Sequence, residues 1–159
     1  MTQIICSSLI ICFFINCSSN LPENQIPDVA QPTLDFVNFC DLVNNPQNFD
    51  RKIIRTRAVI LEKFETAILY HRDCADMNKV VWYEIDGEIV NKKLDDFFTP
   101  DSAEFKATGV IRLEAELVGR FQLKKETRFG HLNAFDFQMS IVHLDGVKYA
   151  DANYPYPWK

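Results

Sequence analysis

KATGVIRLEAELVGRFQL, residues 106–123, is the longest regular pattern in the chain and reads as one long strand. Ala107, Gly109, Ile111, Leu113, Ala115, Leu117, Gly119 and Phe121 fall on one face at every second position. Thr108, Arg112, Glu114, Glu116 and Arg120 fall on the other, with Val110 and Val118 as exceptions. Side chains alternate across a strand, so the pattern predicts one face in a core and one in water. Gly109 and Gly119 predict bends or bulges, as at the corners of a barrel.

The same alternation returns in Phe135, Phe137, Met139 and Ile141, spaced by Asp136, Gln138 and Ser140. Asp145-Gly146 is the next predicted turn. Upstream, residues 52–62 read as a strand rich in β-branched residues, and 65–70 as its partner across a turn near Lys63-Phe64. A polar loop over 72–79 leads to a third strand, 80–85, ended by the turn dipeptide Asp86-Gly87. Residues 88–98 read as a short helix or a loop. A helix is predicted over 33–44, with Thr33 as cap and Phe36, Phe39, Cys40 and Val43 on one apolar stripe. It stops at Asn44-Asn45-Pro46, since a residue before Pro avoids the helical region. The fold class expected is mainly β with one N-terminal helix, a small five-stranded barrel that leaves no open edge.

Residues 1–17 contain no charged side chain and are mostly apolar, then give way to Ser18-Ser19-Asn20. An apolar segment of this kind reads as an export signal and falls short of the roughly 20 residues of a spanning helix. Phe14-Ile15-Asn16-Cys17 forms a loose lipobox, which makes Cys17 the expected lipidation site and a membrane the expected partner through that anchor. Ordinary cleavage near Cys17-Ser18-Ser19 is the alternative. Residues 18–32, with Pro22, Pro27 and Pro32, read as a flexible linker. The domain is expected over 33–150 and an aromatic, Pro-spaced tail over 151–159. Tail packing on the barrel is preferred over a polyproline contact with a partner.

The net charge is −5, all of it beyond residue 17, which excludes the basic surface that nucleic-acid phosphates demand. Thirteen Phe provide for a well-filled core rather than disorder. Cys40 and Cys74 are the cysteines of the presumed mature domain. In an exported chain they are expected to form a disulfide, against the alternative of two buried thiols.

The segment 42–58, Leu-Val-Asn-Asn-Pro-Gln-Asn-Phe-Asp-Arg-Lys-Ile-Ile-Arg-Thr-Arg-Ala, resembles the opening of OB-fold-like domains in uncharacterised bacterial envelope proteins and lipoproteins. There a helix ends in Asn-Pro, an aromatic-Asp-Gly-Lys turn follows, and the first barrel strand begins. Arg51 stands where those sequences usually carry Gly. Gly119-Arg120-Phe121 and Phe129-Gly130-His131-Leu132 resemble the later half of such domains. The resemblance implies an OB-like barrel in the cell envelope and carries over no catalytic residue.

Candidate chemistry is sparse. His71, Asp73 and Cys74 make half a metal site with no second ligand pair in sequence, so no metal is expected. Arg55, Arg57, Arg120 and His131 are the candidate binding residues, with Arg55 and Arg57 on one strand face suited to anionic groups. Cross-strand pairing with Glu62, Glu114 or Glu116 is the structural alternative. His131 with Arg120 and an acidic neighbour would be the group of an envelope hydrolase, but no serine or cysteine stands in a nucleophile elbow. No cofactor motif occurs. The expected function is therefore non-enzymatic: an exported lipoprotein whose barrel binds a ligand or partner, or serves structurally.

Overall fold

The computed structural model describes residues 34–98 and 103–158. The signal segment, Cys17, the linker and the Thr33 cap lie outside the described residues. Five strands carry the fold: β1 (Ile53–Lys63), β2 (Thr66–Tyr70), β3 (Val81–Ile85), β4 (Val110–Leu123) and β5 (Phe137–Tyr149). The sheet closes on itself in the order β1-β2-β3-β5-β4. All seams are antiparallel except β3–β5, which is parallel. The helices are short: α1 (Phe39–Asn44), α2 (Glu88–Asp95) and α3 (Ala103–Thr108). None of the described helices is long and apolar enough to cross a membrane.

The N-terminal helix starts later than its apolar spacing predicts. Asn38 is its cap, and its side chain accepts the Cys40 N–H at 2.8 Å. Before it the chain is extended: Val37 N–H donates to the Arg55 carbonyl at 2.8 Å. Phe36 is consequently 53% exposed, while Phe39, Leu42 and Val43 enter the core. A backbone hydrogen bond to β1 and a better cap outweigh one more helical turn.

The long strand starts at Val110 rather than residue 106. Lys106, Ala107 and Thr108 finish α3, and Gly109 ends it at φ +66, its N–H bonded to the Phe105 carbonyl at 2.7 Å. Gly109 is thus a helix terminator and not a strand bulge. Gly119 does mark an irregularity, with a register shift beside Val118. A Cβ there would sit 2.5 Å from the Ser140 carbonyl oxygen. Asp145-Gly146 is not a turn. It lies inside β5, where Gly146 at φ +58 puts two residues opposite one on β4 between the Glu116–Asp145 and Glu114–Lys148 pairs. The strand continues because Leu144 and Val147, flanking the dipeptide, both pack into the interior. Asp86-Gly87 does end β3, and it leads into α2 with Gly87 as the N-cap. Arg51 takes a left-handed φ of +63, so the turn before β1 keeps a glycine-like backbone without a glycine.

Two apolar clusters form. The first fills the ring with Ile60, Leu113, Leu117, Phe121, Met139 and Ile141, and Leu42 of α1 and Leu94 of α2 join it. The second lies on the outside of β1 and β2, where Val59, Leu61, Ile68 and Tyr70 meet Val110 and Tyr154. Both faces of β1 are therefore buried over 58–61, which the continuous apolar run there reflects.

Candidate functional site

The exposed part of the β1–β4 seam carries a cluster of paired charges. Arg57 lies directly opposite Glu116, and Arg55 two residues along the same face. Arg55 Nε donates to Glu116 Oε1 at 2.5 Å, and Arg57 Nη2 stands 3.6 Å from the other carboxylate oxygen. Glu114, one step further on that face, holds Lys148 of β5 at 2.9 Å and Arg72 at 3.7 Å. The Gly146 bulge borders the same surface. Together these residues line an open cleft of about 510 Å³ with Asp145 at its edge. It adjoins a hollow of about 180 Å³, where Arg57 and Glu114 meet His71, Arg72 and Tyr154. Four cations and three carboxylates thus border one continuous trough. Arg57 and Lys148 are its most open cations, their side chains 65% and 69% exposed.

The other two candidate binding residues lie elsewhere. Arg120 pairs across the strands with Ile53 and Ser140, and its Nη1 donates to the Arg51 carbonyl at 3.2 Å. It stands six residues along β4 from Glu114, about 20 Å in an extended strand. His131 sits in the β4–β5 loop with Nε2 3.6 Å from Glu65 in the β1–β2 turn. His131, Arg120 and Glu114 or Glu116 are therefore not brought together as an acid–base group. His143 lies within β5, bonded to Asp145 at 2.6 Å, and this bond holds the Asp145 carboxyl below its usual range.

Cys40 and Cys74 are joined as a disulfide with Cα atoms 5.6 Å apart. It ties α1 to the loop after β2. His71 adjoins it, Nδ1 lying 3.9 Å from Cys40 Sγ.

The tail covers the second cluster. Tyr154 is buried against Tyr70 edge-to-face, with ring centroids 5.6 Å apart, and its hydroxyl accepts the Arg72 N–H at 2.9 Å. Arg112, on the face of β4 expected to be solvated, is 4% exposed instead. Its Nη1 donates to the Tyr154 carbonyl at 2.8 Å, and its guanidinium lies 4.6 Å from the centre of the Tyr156 ring. Trp82 stacks at 5.3 Å on Phe135 beside this cluster. Burial pushes the Tyr70 and Tyr154 phenols up from their ordinary range. In the ring Tyr83 donates to Glu62 Oε2 at 2.5 Å, and burial raises both groups.

Arg72, Glu114 as a double acceptor, Lys148 and Tyr154 were not singled out by the sequence pattern. The available signal was the pair of runs Val59-Ile60-Leu61 and Ile68-Leu69-Tyr70, which are apolar on both faces and so require an outside cover. Comparison with known proteins finds no match: no family model, no curated protein and no solved structure aligns significantly with this chain.

Proposed function

We propose that this chain is a non-enzymatic binding module of the cell envelope, an OB-like barrel exported and tethered through Cys17, whose ligand lies in the β1–β4 trough. Support for the OB-like assignment comes from the strand order β1-β2-β3-β5-β4, the single parallel seam and the helix between β3 and β4. OB folds ordinarily take oligonucleotides and oligosaccharides on the outer face of the second and third strands, between the first and the last hairpin loops. Here that face belongs to the second apolar cluster, under Tyr154 and Tyr156. The net charge of −5 and the covered face favour a ligand other than a nucleic acid.

One observation carries the choice of a binding role. The charges bordering the trough are paired with one another, Arg55 and Arg57 on Glu116 and Lys148 and Arg72 on Glu114. Such a lattice recognises charge without activating a nucleophile. A ligand with carboxylate groups on an extended polar chain engages Arg57 and Lys148 from solvent while Glu114 and Glu116 set their positions.

Calorimetric titration with an oligouronate and with a neutral oligosaccharide of equal length tests this. The charged chain is expected to bind, to weaken with salt, and to lose about tenfold in affinity on Arg57→Ala combined with Lys148→Ala, about 1.4 kcal/mol. Equal binding of both sugars, or of neither, removes the trough from consideration. Intact mass of the natively expressed protein tests the tether separately. A lipid on Cys17 supports it, whereas a soluble chain beginning after Ser19 eliminates the anchor and leaves export standing.

A further inference from the structure

Three potential metal donors meet where α1 packs beside the loop after β2. Cys40 Sγ, Cys74 Sγ and one His71 nitrogen all lie within 4.8 Å of one another, each residue partly buried. His71 Nδ1 accepts the Asp73 N–H at 3.3 Å, and a metal ion bound there would take over the lone pair that this bond uses. The Asp73 carboxylate, Oδ2, is 3.6 Å from that same nitrogen.

The frame around these donors does not depend on the disulfide alone. Phe39, Leu42 and Val43 anchor α1 in the core. The loop is held by the Cys74 N–H on the His71 carbonyl at 3.2 Å and by the Arg72 N–H on the Tyr154 hydroxyl at 2.9 Å. The Arg72 guanidinium also lies 4.3 Å from the centre of the Tyr154 ring.

Tetrahedral zinc with Zn–S of about 2.3 Å and Zn–N of about 2.0–2.1 Å sets S···S edges near ~3.8 Å and S···N edges near ~3.6 Å. The Cys40–His71 separation of 3.9 Å is already close to such an edge. The two sulfurs need only part from bonding distance to contact distance.

From this geometry we infer that Cys40, Cys74 and His71 form a redox-gated site for a thiophilic metal ion, closed while the disulfide stands and open to zinc once it is reduced. Asp73 or a water completes the fourth position. A dithiol delivers the two electrons: the protein S–S bond breaks, two cysteine thiols form, and the dithiol leaves as its cyclic disulfide. Zinc then binds with loss of the two thiol protons, as thiolate ligation requires. The site meets the trough only at its smaller hollow, which His71 and Arg72 line.

The test uses the 18–159 chain reduced anaerobically on an immobilised phosphine and titrated with Co²⁺ as a spectroscopic stand-in for zinc. A thiolate-to-cobalt charge-transfer band that saturates at one equivalent and is erased by Zn²⁺ is expected, with none in the oxidised protein. His71→Ala leaves the disulfide intact in the oxidised form, whose circular dichroism provides the folding control. After reduction it should bind Co²⁺ at least tenfold more weakly than the parent. Cys74→Ser should abolish the band. Reduced parent protein that takes up no cobalt, whether folded or unfolded, would overturn the inference, as would unchanged affinity in His71→Ala.

Discussion

Inside the ring, Leu113, Leu117, Phe121, Met139 and Ile141 are buried because they occupy every second position of two strands that close on each other. Beneath the tail, Val59, Leu61, Ile68 and Tyr70 occupy the complementary positions of β1 and β2, and their cover comes from Ala150 and Tyr154 at the end of the chain. The first cluster is closed by the sheet itself. The second exists only once a remote segment is laid over it, and it is stitched by polar contacts of Arg72 and Arg112 as well as by apolar area. Strand alternation therefore dictates one core, while the other depends on the path of the tail.

The sharpest way to break this contrast is to empty one cluster at a time. Leu113→Ala, at a fully buried site, should cost about 3–5 kcal/mol, since a large-to-small change in a closed core leaves a cavity. Tyr154→Ala should cost less, about 2–3 kcal/mol, because the tail can shift and water can enter from the side. Urea denaturation of both variants measures the difference. A Tyr154→Ala cost equal to that of Leu113→Ala would mean that the two clusters fold as one inseparable core.

Alkaline pH probes the same contrast through the phenols. Tyr70, Tyr83 and Tyr154 all have folded pKa values raised by burial. A raised value contributes stability that is fully present below the unfolded phenol pKa of about 10 and is lost as pH climbs from there through the folded values. Urea midpoints should hold steady up to roughly pH 10 and fall above it. Tyr154→Phe, which removes one outer-cluster phenol, should flatten that fall without abolishing it, because Tyr83 in the ring still titrates. An unchanged slope in Tyr154→Phe would show that its hydroxyl stays equally hydrated in both states.

The smallest expected effect is a gain. Thr56 is fully buried in the wall of the ring, and its hydroxyl has no hydrogen-bond partner among the described residues. Thr56→Val should stabilise by about 1 kcal/mol, because an unsatisfied buried hydroxyl is replaced by a methyl of similar size. A loss on this substitution would place a bound water on Thr56.

The β character, the positions of the five strands and the Cys40–Cys74 pairing were legible in the sequence, because alternation and an isolated cysteine pair are local or nearly local signals. The helix start at Asn38, the α3 turn before Gly109 and the bulge at Gly146 were not. The first is decided by the Val37 backbone bond to distant Arg55, the second by the local bond of Gly109 to Phe105, and the third by the register of β5 against β4. Of the candidate binding residues, Arg55 and Arg57 do share a site, while Arg120 and His131 point to other neighbours.

The period-two pattern already commits β4 and β5 to one buried face, since side-chain direction along a strand follows from backbone geometry alone. The residue order likewise supplies the charges that the trough holds. The tertiary structure alone decided which strands became neighbours, and so which arginine faces which glutamate across the seam. It alone laid Tyr154 over Tyr70 and brought His71 beside Cys40. Those contacts join segments far apart in the chain, and only the closing of the ring brings the segments within reach of each other.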